Sequence, residues 1–353
     1  MLRWFDGNRR DLPWRHDRDP YRIWVSEVML QQTTVAMVRP RFEVFLQAFP
    51  NVQLLAKAHE RSVLRLWEGL GYYRRAINLH RAARQLVALH GGQLRNDPVA
   101  WINLPGVGRY ILGAVLSQAF DRRLPIVEAN IKRVLCRLFG QRGAADFGPV
   151  NDWLWRTAEM LLPRRRVGDF NQALMELGAL VCTIKEPKCG QCPLASICVA
   201  RRKGLQQQLP VKLARKSIVE VDEVAVAVRK GPRVLVVQRP EVGRWANMWE
   251  FPHDALEAKE THRKAAVRLL AERLGIRADI GDEIVTMRHA VTRFRITMRC
   301  LEAVCRSGSL KLTYYRNARW LRPADLGALP FSVPQRRLAA ELVSADRRIR
   351  LFG

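Results

Sequence analysis

The stretch Leu104-Pro105-Gly106-Val107-Gly108-Arg109-Tyr110, running straight into the apolar segment 111–119, decides how this chain is read. Two glycines in three residues let the backbone turn tightly and approach a phosphate. The helix that follows aims its first N–H groups at the same place. Alone, Gly-x-Gly is a weak signal, and a plain turn between two helices satisfies it equally well. Its meaning depends on the rest of the chain.

The chain carries 60 Lys+Arg against 33 Asp+Glu, a formal net charge of +27 over 353 residues. Such an excess favours a polyanionic partner, with nucleic acid the default and an anionic membrane surface or a ribosome-like scaffold the competitors. Ten tryptophans and 48% hydrophobic residues supply a full-sized core, which argues against the scaffold. No apolar run reaches the ~20 residues of a membrane-spanning helix. The opening Met1-Leu2-Arg3-Trp4-Phe5-Asp6 has no apolar signal core.

The length suits two domains, and the pattern divides accordingly. To about residue 200 it is helical. Asp169 opens the segment 169–181 as a cap, apolar residues follow at three- and four-residue spacing, and Gly91-Gly92 ends another helix. Arg201-Arg202-Lys203-Gly204 and Gln206-Gln207-Gln208 suit a linker. Beyond it, 219–228, 234–237 and 294–300 read as strands of a half-buried sheet, and 263–274 as a helix ending at Gly275. The expectation is an all-α domain over 1–203, a linker over 204–218 and an α+β domain over 219–346.

Four of the seven cysteines cluster as Cys182-x6-Cys189-x2-Cys192-x5-Cys198, between a helix end and two turns bracketed by Pro187 and Pro193. An odd cysteine count with one tight cluster points to a metal site in a reducing compartment rather than to disulfides. Thiolate-only ligation suits zinc or an iron–sulfur cluster. A single Cys-x2-Cys element tilts the choice toward [4Fe–4S]. Cys136, Cys300 and Cys305 read as ordinary core or surface residues.

Two carboxylates complete the pattern. Glu27 sits in Trp24-Val25-Ser26-Glu27-Val28-Met29-Leu30, where apolar surroundings would raise its pKa and suit a general acid. A glutamate on the solvated stripe of an amphipathic helix fits the periodicity as well. Glu128, in Val127-Glu128-Ala129-Asn130, starts another helix, where an acid also complements the helix dipole. A pair of carboxylates is what cleavage of an N-glycosidic bond needs: one protonates the leaving base and the other stabilises the sugar cation.

The hairpin, the acid about twenty residues after it and the cysteine spacing resemble the helix-hairpin-helix DNA glycosylases. Trp24-Val-Ser-Glu-Val-Met-Leu-Gln-Gln-Thr33 and Glu68-Gly-Leu-Gly-Tyr-Tyr-x-Arg75 resemble the MutY adenine glycosylases in particular. Trp245-Ala-Asn-Met-Trp-Glu-Phe-Pro252 is similar to their Nudix-like C-terminal domain, so the resemblance covers nearly the whole chain. It implies an all-α helix-hairpin-helix glycosylase domain with a [4Fe–4S] cluster on Cys182, Cys189, Cys192 and Cys198, plus an α+β Nudix-like domain. It implies excision of adenine opposite 8-oxoguanine.

Carried over by motif, Glu27 matches the acid that protonates the adenine and Tyr110 the tyrosine that supports the sugar-cation step. Glu128 and Asn130 fall on the catalytic Asp-Gly-Asn. Arg10, Arg15 and Gln172 match the base pocket, Gln32 and Tyr72 the residues that wedge into the duplex, with Thr33 and Leu70 beside them, and Gly106 and Gly108 the phosphate-binding hairpin. Tyr110 stands where lyase relatives carry lysine, and the resemblance therefore implies a monofunctional glycosylase that forms no Schiff base.

The chain departs from the family twice. Glu128-Ala129-Asn130 replaces Asp-Gly-Asn, and the extra methylene moves the carboxylate by about 1.5 Å, with Ala129 implying a changed backbone. Val291-Thr292-Arg293 replaces the Phe-Ser-His loop that reads the lesion; only Thr292 keeps a hydroxyl, so the lesion is read differently or another opposite base is tolerated. Arg268-Leu269-Leu270-Ala271-Glu272-Arg273 also lacks the carboxylates of a working Nudix helix, leaving a binding module. The expected partner is double-stranded DNA with a mismatch or an oxidised base, met by a monomer in the cytoplasm, on the nucleoid in a bacterium, and not a membrane. The competing functions are excision of thymine or another base by the same superfamily chemistry, and a lesion-binding protein that does no chemistry.

Overall fold

The computed structural model describes residues 1–211 and 217–352, with side chains through residue 346. The chain forms two compact units, Met1–Lys57 with Asn78–Arg215 and Ala58–Ile77 with Lys216–Gly353. Part of the expected linker, residues 212–216, lies outside the described residues. The segment 58–77 departs from the expected 1–203 domain. Within the second unit Glu68 takes both arms of Arg336 at 2.7 and 3.0 Å, and Glu60 accepts from the Asn247 amide at 2.8 Å.

The first unit is helical. Its central helix, Pro20–Leu30, starts at Asp19, which accepts the Tyr21 N–H at 2.7 Å, with Pro20 in the first helical position. Residues 23–29 are all buried, so this helix is enclosed rather than amphipathic. The Trp24 ring meets Trp101 edge-on at 5.4 Å, which packs the quoted hairpin against it. In that hairpin Asp97 caps Pro98–Ile102, and Gly108 opens Arg109–Phe120. Gly106 has φ +78°, and a Cβ there would stand 2.8 Å from the Asn78 Cβ, so glycine is required. Gly108 has φ −101°, and nothing lies within 4 Å of where its Cβ would be. The chain itself does not demand glycine there, and the backbone is open to approach from outside.

Two further helices matter. Glu128 caps Ala129–Phe139, which ends at Gly140 in the left-handed region. The helix expected to open at Asp169 runs Val167–Leu180 with Arg166 as its cap residue, and Asp169 sits in its first turn. The capping acid is Asp121, 45 residues upstream, which accepts the N–H groups of Arg166 at 2.9 Å and Gly168 at 3.2 Å. Local spacing gave no access to a cap that arrives from so far along the chain.

In the second unit a mixed sheet comprises β1 (Val219–Lys230), β2 (Arg233–Gln238), β3 (Trp249–Glu250), β4 (His253–Ala255), β5 (Ile276–Val291), β6 (Phe294–Gly308) and β7 (Asn317–Leu321). The order is β3-β2-β1-β6-β5; β4 adds to β1 and β7 to β2, and β1 runs parallel to β6. The expected half-buried sheet is buried on both faces at its centre, where Val224 to Val228 are fully buried. Val224, Val226 and Val228 face the helix His262–Leu274, and Ala225 and Ala227 face Leu338 and Leu342 of Val333–Phe352. With both faces covered, alternation gives way to a continuous apolar run. Among the described residues no helix is long and apolar enough to cross a membrane.

Candidate active site

Glu27 is 3% exposed. Tyr110 donates its hydroxyl to Glu27 Oε2 at 2.5 Å, and Gln118 donates its amide to Oε1 at 2.8 Å. Tyr110 and Gln118 lie on the Arg109–Phe120 helix, so the hairpin that opens toward solvent at Gly108 delivers both partners of the buried acid. Burial pushes the Glu27 carboxyl above its ordinary value, outweighing the two donors and the charge of Arg15. Burial, then the Glu27 charge, drives the Tyr110 phenol well up, so it stays a donor.

Glu128 caps its helix with both oxygens: Oε1 accepts the Ile131 N–H at 2.9 Å, and Oε2 the Asn130 N–H at 2.9 Å and the Asn130 amide at 3.1 Å. Burial raises this carboxyl too, opposed by those N–H groups and Arg133, while the nearby Glu27 charge raises it further. Ala129 is exposed in the first helical position, and its φ is not positive. Alanine therefore fits the backbone at this position without strain. Behind Asn130 stands the buried Arg133, donating to Asn130 Oδ1 at 2.8 Å, Gly178 O at 2.7 Å and Cys182 O at 2.7 Å. A Cβ on Gly178 would come within 2.5 Å of the Asn130 Cβ, so that glycine permits the close packing.

Arg10 and Arg15 converge on Glu176, whose side chain is 1% exposed. Arg10 engages it through Nε and Nη2 at 2.8 Å each, and Arg15 through Nη2 at 3.0 Å. Burial alone would raise the Glu176 carboxyl, and the hydrogen bonds from Arg10 and Arg15 outweigh it, holding it at about 2. Gln172 is half-buried on the same helix, four residues before Glu176 and thus on its face.

The four clustered cysteines are free thiols that line one cavity with Val181, Pro187 and Arg137. Arg137 donates to Cys182 Sγ at 3.4 Å and to Thr183 O at 2.6 Å. Burial raises the Cys192 thiol, and Cys182, Cys198 and Cys189 are all close enough to raise it further. Among the described residues no three or more His, Cys, Asp or Glu side chains stand close enough around one point to hold a single metal ion.

Residues 25–155 match the model of the HhH-GPD superfamily base excision DNA repair proteins, and residues 223–341 that of the NUDIX domain. An adenine DNA glycosylase of Homo sapiens is 34% identical, over 96% of this chain and 72% of its own. One from Buchnera aphidicola is 37% identical, over 72% of this chain and 73% of its own. The chain belongs to the adenine DNA glycosylase family. It spans 62% of the length of the Mus musculus relative, with 38% identity. A solved thermostable thymine-DNA glycosylase aligns with 57% of the chain and 93% of its own at 33% identity and a TM-score of 0.53. An endonuclease III at 22% identity and TM-score 0.50 shares the helical fold.

For a member of this family, the residues matched to duplex contacts differ in what they present. Gln32 is exposed with φ +56°, and Thr33 is half-buried beside it. Tyr72 is 51% exposed with φ +45°. Leu70, by contrast, is 4% exposed and packs inward, so it offers a duplex no surface. Thr292 and Arg293 form the two-residue tip of the β5–β6 hairpin, closed by the Val291–Phe294 pair. Thr292 has φ +55°, and its hydroxyl donates to Val291 O at 2.7 Å, so the hydroxyl expected to face a lesion is turned onto its own strand. On the helix His262–Leu274, Arg268 and Arg273 pair with Glu260 and Asp254 at 2.9 and 2.7 Å.

Sequence reasoning missed Gln118, Glu176, Arg133 and Arg137. Each partners a residue 45 to 166 positions away. Only the buried charges themselves, Glu176 and the two arginines inside otherwise apolar helical faces, could have flagged them.

Proposed function

We propose that this chain hydrolyses the N-glycosidic bond of adenine mispaired with 8-oxoguanine or guanine in double-stranded DNA, as a monomeric, monofunctional glycosylase of base excision repair. The observation that carries the proposal is Glu27, buried, raised in pKa and held on both oxygens by Tyr110 and Gln118, with a second carboxylate at Glu128 within reach of its charge.

The two carboxyls sit in environments that divide the work. Burial raises both carboxyls, each against its own donors and a nearby arginine. In this reading Glu27, which faces Tyr110 and Gln118, keeps the proton, and Glu128 at the helix start is the anion. Each carboxyl oxygen has a further lone-pair site beyond the one occupied by Tyr110 or Gln118, from which Glu27 delivers that proton to the extruded adenine. The glycosidic bond breaks and its electron pair leaves with the base. The sugar cation is met by the Glu128 carboxylate until water adds to it and gives its proton to the Glu27 carboxylate, which the first step left ionised. Tyr110 supplies a hydroxyl where an amine would form a Schiff base.

Cys182, Cys189, Cys192 and Cys198 would hold a [4Fe–4S] cluster, a structural group here. A lone zinc ion needs its thiolates gathered about 2.3 Å from one point. A four-iron cluster takes one thiolate at each iron, which suits four sulfurs around a shared cavity. The thymine-DNA glycosylase likeness supports a second reading, excision of thymine opposite guanine.

The test is the identity of the product. Mass spectrometry should find free adenine released from a duplex with adenine opposite 8-oxoguanine, and borohydride should trap no covalent adduct. A trapped adduct, or no free base at all from iron-loaded protein, would overturn the proposal.

A further inference from the structure

The turn Gly69-Leu70-Gly71-Tyr72 lifts an aromatic ring out of the protein surface on a strained backbone. Gly69, Gly71 and Tyr72 all have positive φ, at +87°, +68° and +45°. Two of these are glycines and bear it freely, whereas a tyrosine adopts such a conformation only when its surroundings impose it. On either side of the exposed Tyr72, Leu70 and Tyr73 are each 4% exposed, so the ring stands out from an otherwise anchored turn.

The constraint comes from Arg75. Its Nη2 donates to Leu70 O at 3.0 Å and Gly71 O at 3.1 Å, and its Nε to Tyr72 O at 3.4 Å. Its guanidinium carbon lies 5.5 Å from the Tyr72 ring centroid and 5.5 Å from that of the fully buried Trp67. Trp67 in turn donates its indole N–H to Gly71 O at 3.2 Å. A planar fork can bond adjacent carbonyls while lying against aromatic rings. An ammonium can do one or the other. Burial lowers the Arg75 pKa to about 10, so it remains charged at neutral pH.

We propose that Arg75 is a positioning residue for base extrusion: it locks the 69–72 turn so that Tyr72 is presented, rigid and already strained, as the ring that stacks into the duplex. Base–aromatic stacking offsets the cost of unpairing only if the ring has little freedom left to lose. The proposal rests on the reading of Tyr72 as a duplex-inserting residue.

A double-mutant cycle tests it. Extrusion is read directly, from the fluorescence of 2-aminopurine placed at the target adenine and bound by protein carrying Glu27→Gln, so the signal does not depend on chemistry. Tyr72→Ala and Arg75→Gln should each reduce the extruded fraction by about tenfold. Together they should reduce it no more than about threefold beyond Tyr72→Ala alone, because Arg75 acts through the ring. Arg75→Lys should recover part of the loss, and it carries the same cycle if Arg75→Gln does not fold.

Losses that multiply would overturn the proposal. So would a salt dependence of binding that falls by about one phosphate contact on removing the arginine, which would make Arg75 a backbone contact instead. Full extrusion by Tyr72→Ala would instead remove the underlying reading of Tyr72, and the proposal with it.

Discussion

The Glu128 carboxylate folds back onto the helix that it begins, with Oε1 accepting the N–H of Ile131 at 2.9 Å. An aspartate at a helix cap does the same with a shorter arm. The glutamate makes the same bonds with one methylene more reach, and Asn130, itself held by Arg133, braces its carboxylate. Both Glu128→Gln and Glu128→Asp should slow adenine excision. Loss of the charge facing a sugar cation should cost on the order of 100-fold or more, and a withdrawn carboxylate about tenfold or more. Single-turnover rates decide it, and a Glu128→Gln enzyme as fast as wild type removes Glu128 from the mechanism.

Glu27 must be protonated to act, so the excision rate should fall on the alkaline side of its raised pKa. Glu27→Gln should abolish excision and leave duplex affinity within about twofold, since it removes a proton donor and no positive charge. The pH–rate profile and a binding isotherm check the two halves separately. Residual activity that keeps the alkaline limb would assign the acid elsewhere.

The Glu176 carboxyl is held at about 2 against an ordinary 4.5. Its pairing with Arg10 and Arg15 therefore contributes stability fully present above about pH 4.5 and lost as pH falls toward 2. Glu176→Gln should destabilise the protein at neutral pH by about 3 kcal/mol, because it strands two arginines against a buried neutral side chain. It should also flatten the acid part of the Tm profile. A Tm that still falls with the wild-type slope between pH 4.5 and 2 would contradict this.

The cysteine cavity makes a compositional prediction. Anaerobically purified protein should contain about four irons per chain and no stoichiometric zinc. Cys182→Ser should lose iron. Elemental analysis is enough to check it, and stoichiometric zinc would overturn the cluster assignment.

How much of this was legible in the sequence follows from where the partners lie. Glu27, Tyr110 and the hairpin glycines fall in contiguous motifs, and contiguity is what sequence patterns record. The burial of Glu27 was one of two readings its apolar neighbours left open. Periodicity could not choose between them, because Pro20–Leu30, buried from 23 to 29, has no polar stripe against which a buried acid stands out. Gln118 lies 91 residues along the chain from Glu27, and Glu176 lies 166 from Arg10, so neither spacing nor periodicity could join them. Leu70 differs for the opposite reason. It shares a motif with Tyr72 but is 4% exposed where Tyr72 is 51%, and membership of one motif does not separate a side chain that packs inward from one that stands out.

The most direct measurement of the central claim is the single-turnover excision rate of the iron-loaded wild-type protein on four duplexes, with adenine or thymine opposite 8-oxoguanine or guanine. Adenine should be released from both adenine duplexes and thymine from neither of the others. Thymine released from the guanine mispair as fast as adenine, or no base released from any of the four, would contradict it.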